Sequence, residues 1–487
     1  MTRLTFHGGA GEIGGNKILL EEGDTKIWLD FGMSFSRASR YFAEFLQPRK
    51  CSGIGDLMEF GLLPDLQGLY REDYERRFRE PSAKAYDAIF LTHAHADHSA
   101  YIHFLRGDIP IYASEVSKQI LKALEVTSST GFVEFLTMKR TFEMAPKARG
   151  EGMKKLVGKD AEVPRSFGVI KRKISIGDLE IEALPVNHSL PGALAYILHT
   201  TKGSLVYTGD FRFHGYDGNL TRKFMKRAAM AKPAVMLCEG TRVSEAGGMT
   251  EAELEEHVSA EMDGAKGLVV VNFPVRDIDR MNSFLQAARE NDRKLVVNPR
   301  QAYMLKLLEP TDCGSPKLNE VCVFLPRKEW GVICNPEYPP EIIRQDYEGW
   351  EQEFLEMGNS VTAKDLKKDP LRYVFRCDFF ELKNLIDIRP PEGSIYIRSV
   401  TEPFDEEMEI DKQKADEWLK HFSLYPYRQI HCSGHASGRE LREFVREVGP
   451  KQLFPVHTEH PELFKGFGGG SVEKIRIPEI GKMYQIG

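Results

Sequence analysis

The sequence predicts an α/β protein in which a second α/β unit is inserted into the first. Three observations point to it. The N-terminal part reads as short strands separated by glycine turns, at residues 4–6, 17–20 and 26–30. After Val243 the pattern changes to strands alternating with longer helices, the mark of parallel βαβ units. Short strands then return at residues 429–432 and 451–456.

Taken in order, residues 36–86 break the early rhythm with Pro, Gly and charge, which reads as a surface insertion. An apolar strand at 88–92 runs directly into a histidine cluster. Strands follow at 178–186, 193–199 and 204–208, and 234–239 is a buried-strand run that ends in Glu239. Thr250 and Glu253 form a capping box before an amphipathic helix. A strand at 267–273, a helix at 277–290 and a strand at 294–298 come next, whereas 310–390 shows no clear period. A strand at 394–400 and a helix at 405–422 close this unit. Ser437 and Glu440 then box the start of a helix that stops at Gly449-Pro450. The strand 451–456 ends at His457.

Composition narrows the class. The chain has 487 residues, 41% of them hydrophobic and 28% charged, a globular balance suited to two or three domains. No apolar run approaches the roughly 18–20 residues of a membrane span, and the first residues lack an apolar leader core. The seven cysteines are scattered without a CxxC pair, which speaks against a disulfide framework or a Cys-type zinc site and for a reduced, cytoplasmic protein. Charge is uneven: the chain carries a net −6, yet residues 139–173 hold eleven basic and four acidic side chains. Such a segment attracts polyanions, or is simply a solvated face.

The chemistry concentrates in Leu91-Thr92-His93-Ala94-His95-Ala96-Asp97-His98. At a strand end, His93 and His95 should point to one side because side chains alternate. Asp97 and His98 begin the next element and can turn back towards them. So many nitrogen and oxygen donors in so short a span suit two adjacent borderline metals, zinc first. His188, Asp210 and His457 each follow an apolar strand and extend the set.

This set resembles the metallo-β-lactamase fold, an αββα sandwich in which such motifs occur in this order. Asp30 in Trp28-Leu29-Asp30-Phe31-Gly32 is similar to the first motif, an aspartate that supports the metal ligands. By the resemblance, His93, His95, His188 and Asp210 hold one metal, and Asp97, His98, Asp210 and His457 the other, with Asp210 bridging. Glu239 in Leu237-Cys238-Glu239-Gly240-Thr241, His435 in His431-Cys432-Ser433-Gly434-His435-Ala436 and His457 in Pro455-Val456-His457-Thr458-Glu459 resemble the three further motifs of the β-CASP branch. That branch inserts an α/β domain, implying residues 1–243 and 428–487 for the sandwich and 244–427 for the insert. Gly8-Gly9-Ala10-Gly11-Glu12-Ile13-Gly14-Gly15-Asn16 is similar to the N-terminal signature of the ribonuclease J family. There are departures. Phe273-Pro274-Val275-Arg276 stands where that family has a small-polar, Asn-bearing turn. The chain ends shortly after His457, like the archaeal-type members without a C-terminal domain.

The resemblance implies a zinc-dependent ribonuclease that hydrolyses phosphodiester bonds with a metal-bridged water, 5′→3′ exonuclease action being favoured and endonuclease action open. Two zinc ions are expected, with manganese as the other candidate. Asp97, Glu239 and His435 would be catalytic, His435 protonating the leaving oxygen while Glu239 holds it. His431, Ser433, Gly434 and Ser437 would bind substrate at a turn before a helix N-terminus. Single-stranded RNA is the expected partner, with no membrane and a homodimer as a further expectation. A DNA nuclease of the same branch and a non-catalytic scaffold subunit of an RNA-processing complex remain the alternatives.

Overall fold

The computed structural model of the protein describes residues 1–43, 45–128, 131–141, 143–156, 161–403, 406–468 and 472–486. Two seven-stranded sheets pack face to face. The first runs Phe167–Val169, Ile111–Ala113, Ala88–Phe90, Thr25–Phe31, Lys17–Glu22, Thr2–Gly8 and Met483–Ile486. The second runs Lys173–Ile176, Leu179–Pro185, Leu194–Thr200, Gly203–Tyr207, Val235–Cys238, Gln452–Pro455 and Lys474–Ile475. Period-two alternation sorts each strand between two cores. Ile27 and Leu29 face the second sheet, against Ile181, Tyr196 and Leu237. Trp28 and Phe31 face outward into a helical layer. On the far side, Phe224 and Ala228 of the helix Gly218–Met230 and Leu441, Phe444 and Val445 of the helix Gly438–Val448 cover the second sheet. The layers are therefore helix, sheet, sheet, helix, the sandwich expected from the sequence.

A third sheet of seven strands runs Ser360–Val361, Cys322–Phe324, Lys294–Val297, Tyr373–Arg376, Val269–Asn272, Ile395–Arg398 and Arg428–Gln429, every pair parallel. Three of these strands lie in 310–390 and are only two to four residues long, too short to show a period. The helix read at 405–422 is Glu406–His421, Asp405 lying outside the described residues. The strand read at 429–432 is corrected. Only Arg428–Gln429 is strand, and it pairs with Ile397–Arg398 of the third sheet. Beyond it, buried arginines instead of a neighbouring strand satisfy the carbonyls: Arg280 donates to Cys432 O at 2.6 Å and Arg212 to Ser433 O at 2.9 Å.

The segment 36–86 is more than a surface insertion. Leu57, Leu62, Leu69, Tyr70 and Tyr74 are buried in the same cluster as Trp28 and Ile89. That cluster continues through Ile120 and Leu121 of the helix Glu115–Thr127 to Met304 and Leu305 of the helix Pro299–Leu308, joining sandwich and insert. The basic segment forms two small antiparallel ribbons, Thr137–Lys139 with Glu162–Pro164 and Met144–Pro146 with Met153–Lys155. Lys147, Arg149, Lys154 and Lys155 are exposed on the second, while Lys159 and Asp160 lie outside the described residues. Arg165 is no part of that surface: it is buried and donates to the carbonyls of His103, Leu105 and Glu134. No helix among the described residues is long and apolar enough to cross a membrane.

Gly32 shows how tightly the first sheet meets the histidine loop. A Cβ there would lie 1.7 Å from Asp97 O. Gly32→Ala should destabilise the fold by about 1–3 kcal/mol through overpacking, read as a lower midpoint in denaturant unfolding.

Candidate metal centre

Each candidate ligand stands just beyond a strand. His93, His95, Asp97 and His98 follow Ala88–Phe90, and His188 follows Leu179–Pro185. Asp210 follows Gly203–Tyr207, Glu239 follows Val235–Cys238 and His457 follows Gln452–Pro455. The reading that strand alternation aligns His93 with His95 is corrected. The strand stops at Phe90, and His95 is the N-cap of the short helix Ala96–Ser99. A loop brings Nε2 of His93 to 2.9 Å from Nδ1 of His95, which in turn lies 3.1 Å from Nε2 of His188.

The structure brings all seven expected metal ligands together. One donor atom each of His93, His95, His188 and Asp210 lies within 4.8 Å of the others, as do those of Asp97, His98, Asp210 and His457. Asp210 Oδ2 is shared: it is 3.1 Å from His98 Nε2, 3.6 Å from His457 Nε2, 3.7 Å from His93 Nε2 and 3.9 Å from His188 Nε2. Its other oxygen, Oδ1, is buried without a hydrogen bond. An orphaned buried carboxylate oxygen is costly unless a cation faces it.

Electrostatics agree with a cation here. Burial holds His93 and His188 well below the usual imidazole range and takes His95 down to about 3. These three are therefore neutral, the form that binds metal. His98 is the exception: burial opposes its charge, but Asp210, then Asp30 and Asp97, raise it well above its ordinary value. Three carboxylates thus demand positive charge at one imidazole, which a metal ion supplies in place of a proton. A set of imidazole and carboxylate donors suits zinc.

The outer contacts fix which nitrogen faces the centre. Asp30 is wholly buried and accepts four hydrogen bonds: from Thr92 N (2.7 Å), Thr92 Oγ1 (2.8 Å), Tyr207 OH (2.7 Å) and His98 Nδ1 (2.7 Å). His98 thereby presents Nε2 inward. His188 donates from Nδ1 to Gly434 O at 2.7 Å, and Thr241 Oγ1 lies 2.8 Å from Nδ1 of His457. Asp30 and His457 both adopt left-handed backbone, φ 57° and 52°, the kind of strain that collects at functional sites. The glycine-rich loop buttresses Asp97: Asn16 N donates to Asp97 O at 3.0 Å, and a Cβ on Gly14 would meet the Asp97 Cβ at 2.7 Å.

Beside the ligands, His435 Nδ1 lies 3.0 Å from Glu239 Oε2. Burial opposes charge on His435, but Glu239 and then Asp210 raise its pKa to about 9. Its Nε2 has no hydrogen bond to a described residue. The expected substrate-binding residues are dispersed in role. Ser433 Oγ accepts from His435 N at 3.2 Å, and Gly434 acts on His188 through its carbonyl. Ser437 is buried and caps its helix with Glu440. His431 is mostly buried, its Nδ1 3.3 Å from Arg280 Nη1, and its Nε2 is an orphaned polar atom.

Several residues escaped sequence reading. Glu251 binds Arg212 at 3.0 Å and Arg280 at 3.1 Å, all three wholly buried. These arginines hold the carbonyls of Cys432 and Ser433 and so shape the turn that carries His435. Thr241 and Tyr207 were missed as well. Their partners lie hundreds of residues away in the chain, and no local pattern announces them.

Asp30→Asn leaves every ligand in place but removes the acceptor that orients His98. Zinc affinity should fall about 10–100-fold in competition with a chromogenic chelator.

Two family models match the chain: the β-lactamase superfamily domain over residues 63–271 and the Zn-dependent metallo-hydrolase RNA specificity domain over residues 427–464. Ribonuclease J of Sinorhizobium meliloti is 26% identical over 431 residues, 86% of this chain and 66% of that protein. Ribonuclease J of Helicobacter pylori strain J99 is 23% identical and matches 100% of this chain but 60% of its own length. Ribonuclease J of Pyrococcus abyssi is 22% identical over 504 residues, covering 100% of this chain and 97% of that protein. The chain thus spans about two thirds or less of the two bacterial relatives. A crystal structure of a protein of unknown function from Enterococcus faecalis V583 has the same fold, with a TM-score of 0.71, 24% identity and 99% coverage of both chains. With its sandwich, its inserted parallel sheet and its shared His/Asp cluster, the chain is a metallo-β-lactamase-fold protein of the β-CASP, ribonuclease J-like kind.

Proposed function

We propose that the protein is a zinc-dependent ribonuclease that cleaves phosphodiester bonds of single-stranded RNA at a centre of two zinc ions. The observation that carries the reading is the shared carboxylate. Asp210 belongs to both ligand groups and also to a third, with Glu239, His435 and His457. Zinc in such a centre supplies a nucleophilic water near neutral pH and offsets charge on the phosphate.

The chain's own residues do the rest. His93, His95 and His188 would hold one ion, and Asp97, His98 and His457 the other, with Asp210 between them. His435 carries a proton that its Nε2 can give to the leaving 3′-oxygen, while Glu239 fixes Nδ1. The exposed basic ribbon at 144–155 offers positive charge to an RNA backbone although the chain as a whole is negative. The reading favours 5′→3′ exonuclease action, in the cytoplasm, with a homodimer as the assembly.

The test uses single-stranded RNA labelled at the 5′ or the 3′ end, carrying a 5′-monophosphate or a 5′-hydroxyl, with matched DNA beside it. Wild type should release mononucleotides from the 5′ end at once, faster from the monophosphate, and Asp97→Ala should release none. Internal fragments would make the enzyme an endonuclease. Cleavage of DNA alone, or no metal-dependent cleavage with zinc bound, would overturn the ribonuclease reading. His435→Ala should lower kcat by roughly 10²–10⁴ while zinc content stays that of wild type.

A further inference from the structure

The inserted unit reaches over the metal centre through one turn, residues 274–277, between the strand Val269–Asn272 and the helix Ile278–Glu290. In that turn Arg276 donates from Nη1 to the carbonyl of Ala94, inside the histidine loop, at 3.1 Å. It has no ion-pair partner among the described residues, and the one carboxylate that bears on its charge is Asp97. The other arginines buried nearby are saturated. Arg212, Arg280 and Arg376 meet carboxylates. Arg165 and Arg293 each donate to three backbone carbonyls. A guanidinium has five N–H donors, and the single bond to Ala94 O leaves most of those on Arg276 uncommitted. Burial of an unneutralised guanidinium is costly unless an anion completes it.

A cavity of about 400 Å³ opens beside it. His95 stands at its metal end, Ile120 and Leu124 form one wall from the sandwich, and Met304 and the exposed Arg300 line it from the insert. Asp277 also touches the cavity, but its Oδ1 is committed to Arg280 N at 3.0 Å as a helix cap. The volume falls in the ~300–1,000 Å³ range of small-molecule sites. An apolar slot with a guanidinium at one end matches a base joined to a phosphate.

We propose that this cavity is a nucleotide subsite whose phosphate is anchored by Arg276, so that Arg276 selects the phosphate that lies next to His95. The inference rests on the nucleic-acid reading above and adds a specificity residue to it. It also accounts for the departure at Phe273-Pro274-Val275-Arg276, where a charged anchor stands in place of a small-polar turn. Walls from both units form the slot, so it exists only while they are docked.

The test is calorimetric titration of the zinc-loaded protein with AMP and with adenosine, for wild type, Arg276→Ala, Arg276→Lys and Leu124→Trp. Wild type should bind AMP better than adenosine. Arg276→Ala should weaken AMP about 10- to 100-fold without changing adenosine, zinc content or far-UV circular dichroism. Arg276→Lys should fall between, because it keeps charge but loses the fork. Leu124→Trp fills the slot from the opposite wall and should weaken both ligands. On RNA, Arg276→Ala should raise KM more than it lowers kcat. Unchanged AMP affinity in Arg276→Ala overturns the subsite. If that variant does not fold, unchanged affinity in Leu124→Trp overturns it instead. Wild type that binds AMP through Arg276 but leaves RNA intact would sink the ribonuclease reading and leave the subsite standing. RNA cleaved by Arg276→Ala with wild-type KM, and AMP bound as before, would do the reverse.

Discussion

Buried negative charge around one imidazole is the constraint on which the rest of the structure depends. Asp30 and Asp210 lie 2.7 and 3.1 Å from the ring of His98, and Asp97 lies 3.8 Å away. His98, Asp30 and Asp210 are almost inaccessible to solvent. Carboxylates are not left in such places without compensation. The compensation is built from strand ends drawn from both sheets, so the sandwich must close correctly before the charges can balance. The left-handed backbone at Asp30 and His457 belongs to the same bargain: local strain of order 1–3 kcal/mol per residue is held by surrounding packing.

The inserted unit takes part in this arrangement. Arg212 comes from the sandwich, Glu251 and Arg280 from the insert, and together they grip the carbonyls of residues 432 and 433. Gly434, next in line, accepts the hydrogen bond that orients His188. The position of the insert is therefore transmitted to a candidate metal ligand through four consecutive backbone positions. The shared apolar cluster between the helices Glu115–Thr127 and Pro299–Leu308 holds the two units in register for it.

Much of the site could be read from the sequence because its donors follow apolar strands, and strand ends in α/β sheets gather at one edge. His188, Asp210, Glu239 and His457 were found that way. The alternation argument for His93 and His95 failed because the strand ended three residues before His93, and a loop converged them instead. The strand at 429–432 failed for a similar reason. An apolar, β-branched pattern cannot reveal that arginines 150 to 220 residues upstream will claim the carbonyls. The segment 36–86 looked like surface because its charges outnumber its leucines locally. Its burial depends on Trp28 and Ile89, residues of another element. What stayed hidden was in each case long-range: the partner of Asp30 in Tyr207, of His457 in Thr241, and of Arg276 in Ala94.

The second sheet has one further property. Val235–Cys238 takes Gln452–Pro455 as its parallel neighbour, and the whole third sheet lies between them in the chain. During synthesis, at ~5–20 residues per second, that edge waits on the order of tens of seconds for its partner. A half-made sandwich with an open, apolar, hydrogen-bond-hungry rim is a template for adhesion to other nascent chains. Because the late strand also delivers His457, the growing chain closes its most aggregation-prone edge and completes its cluster of donors in the same event.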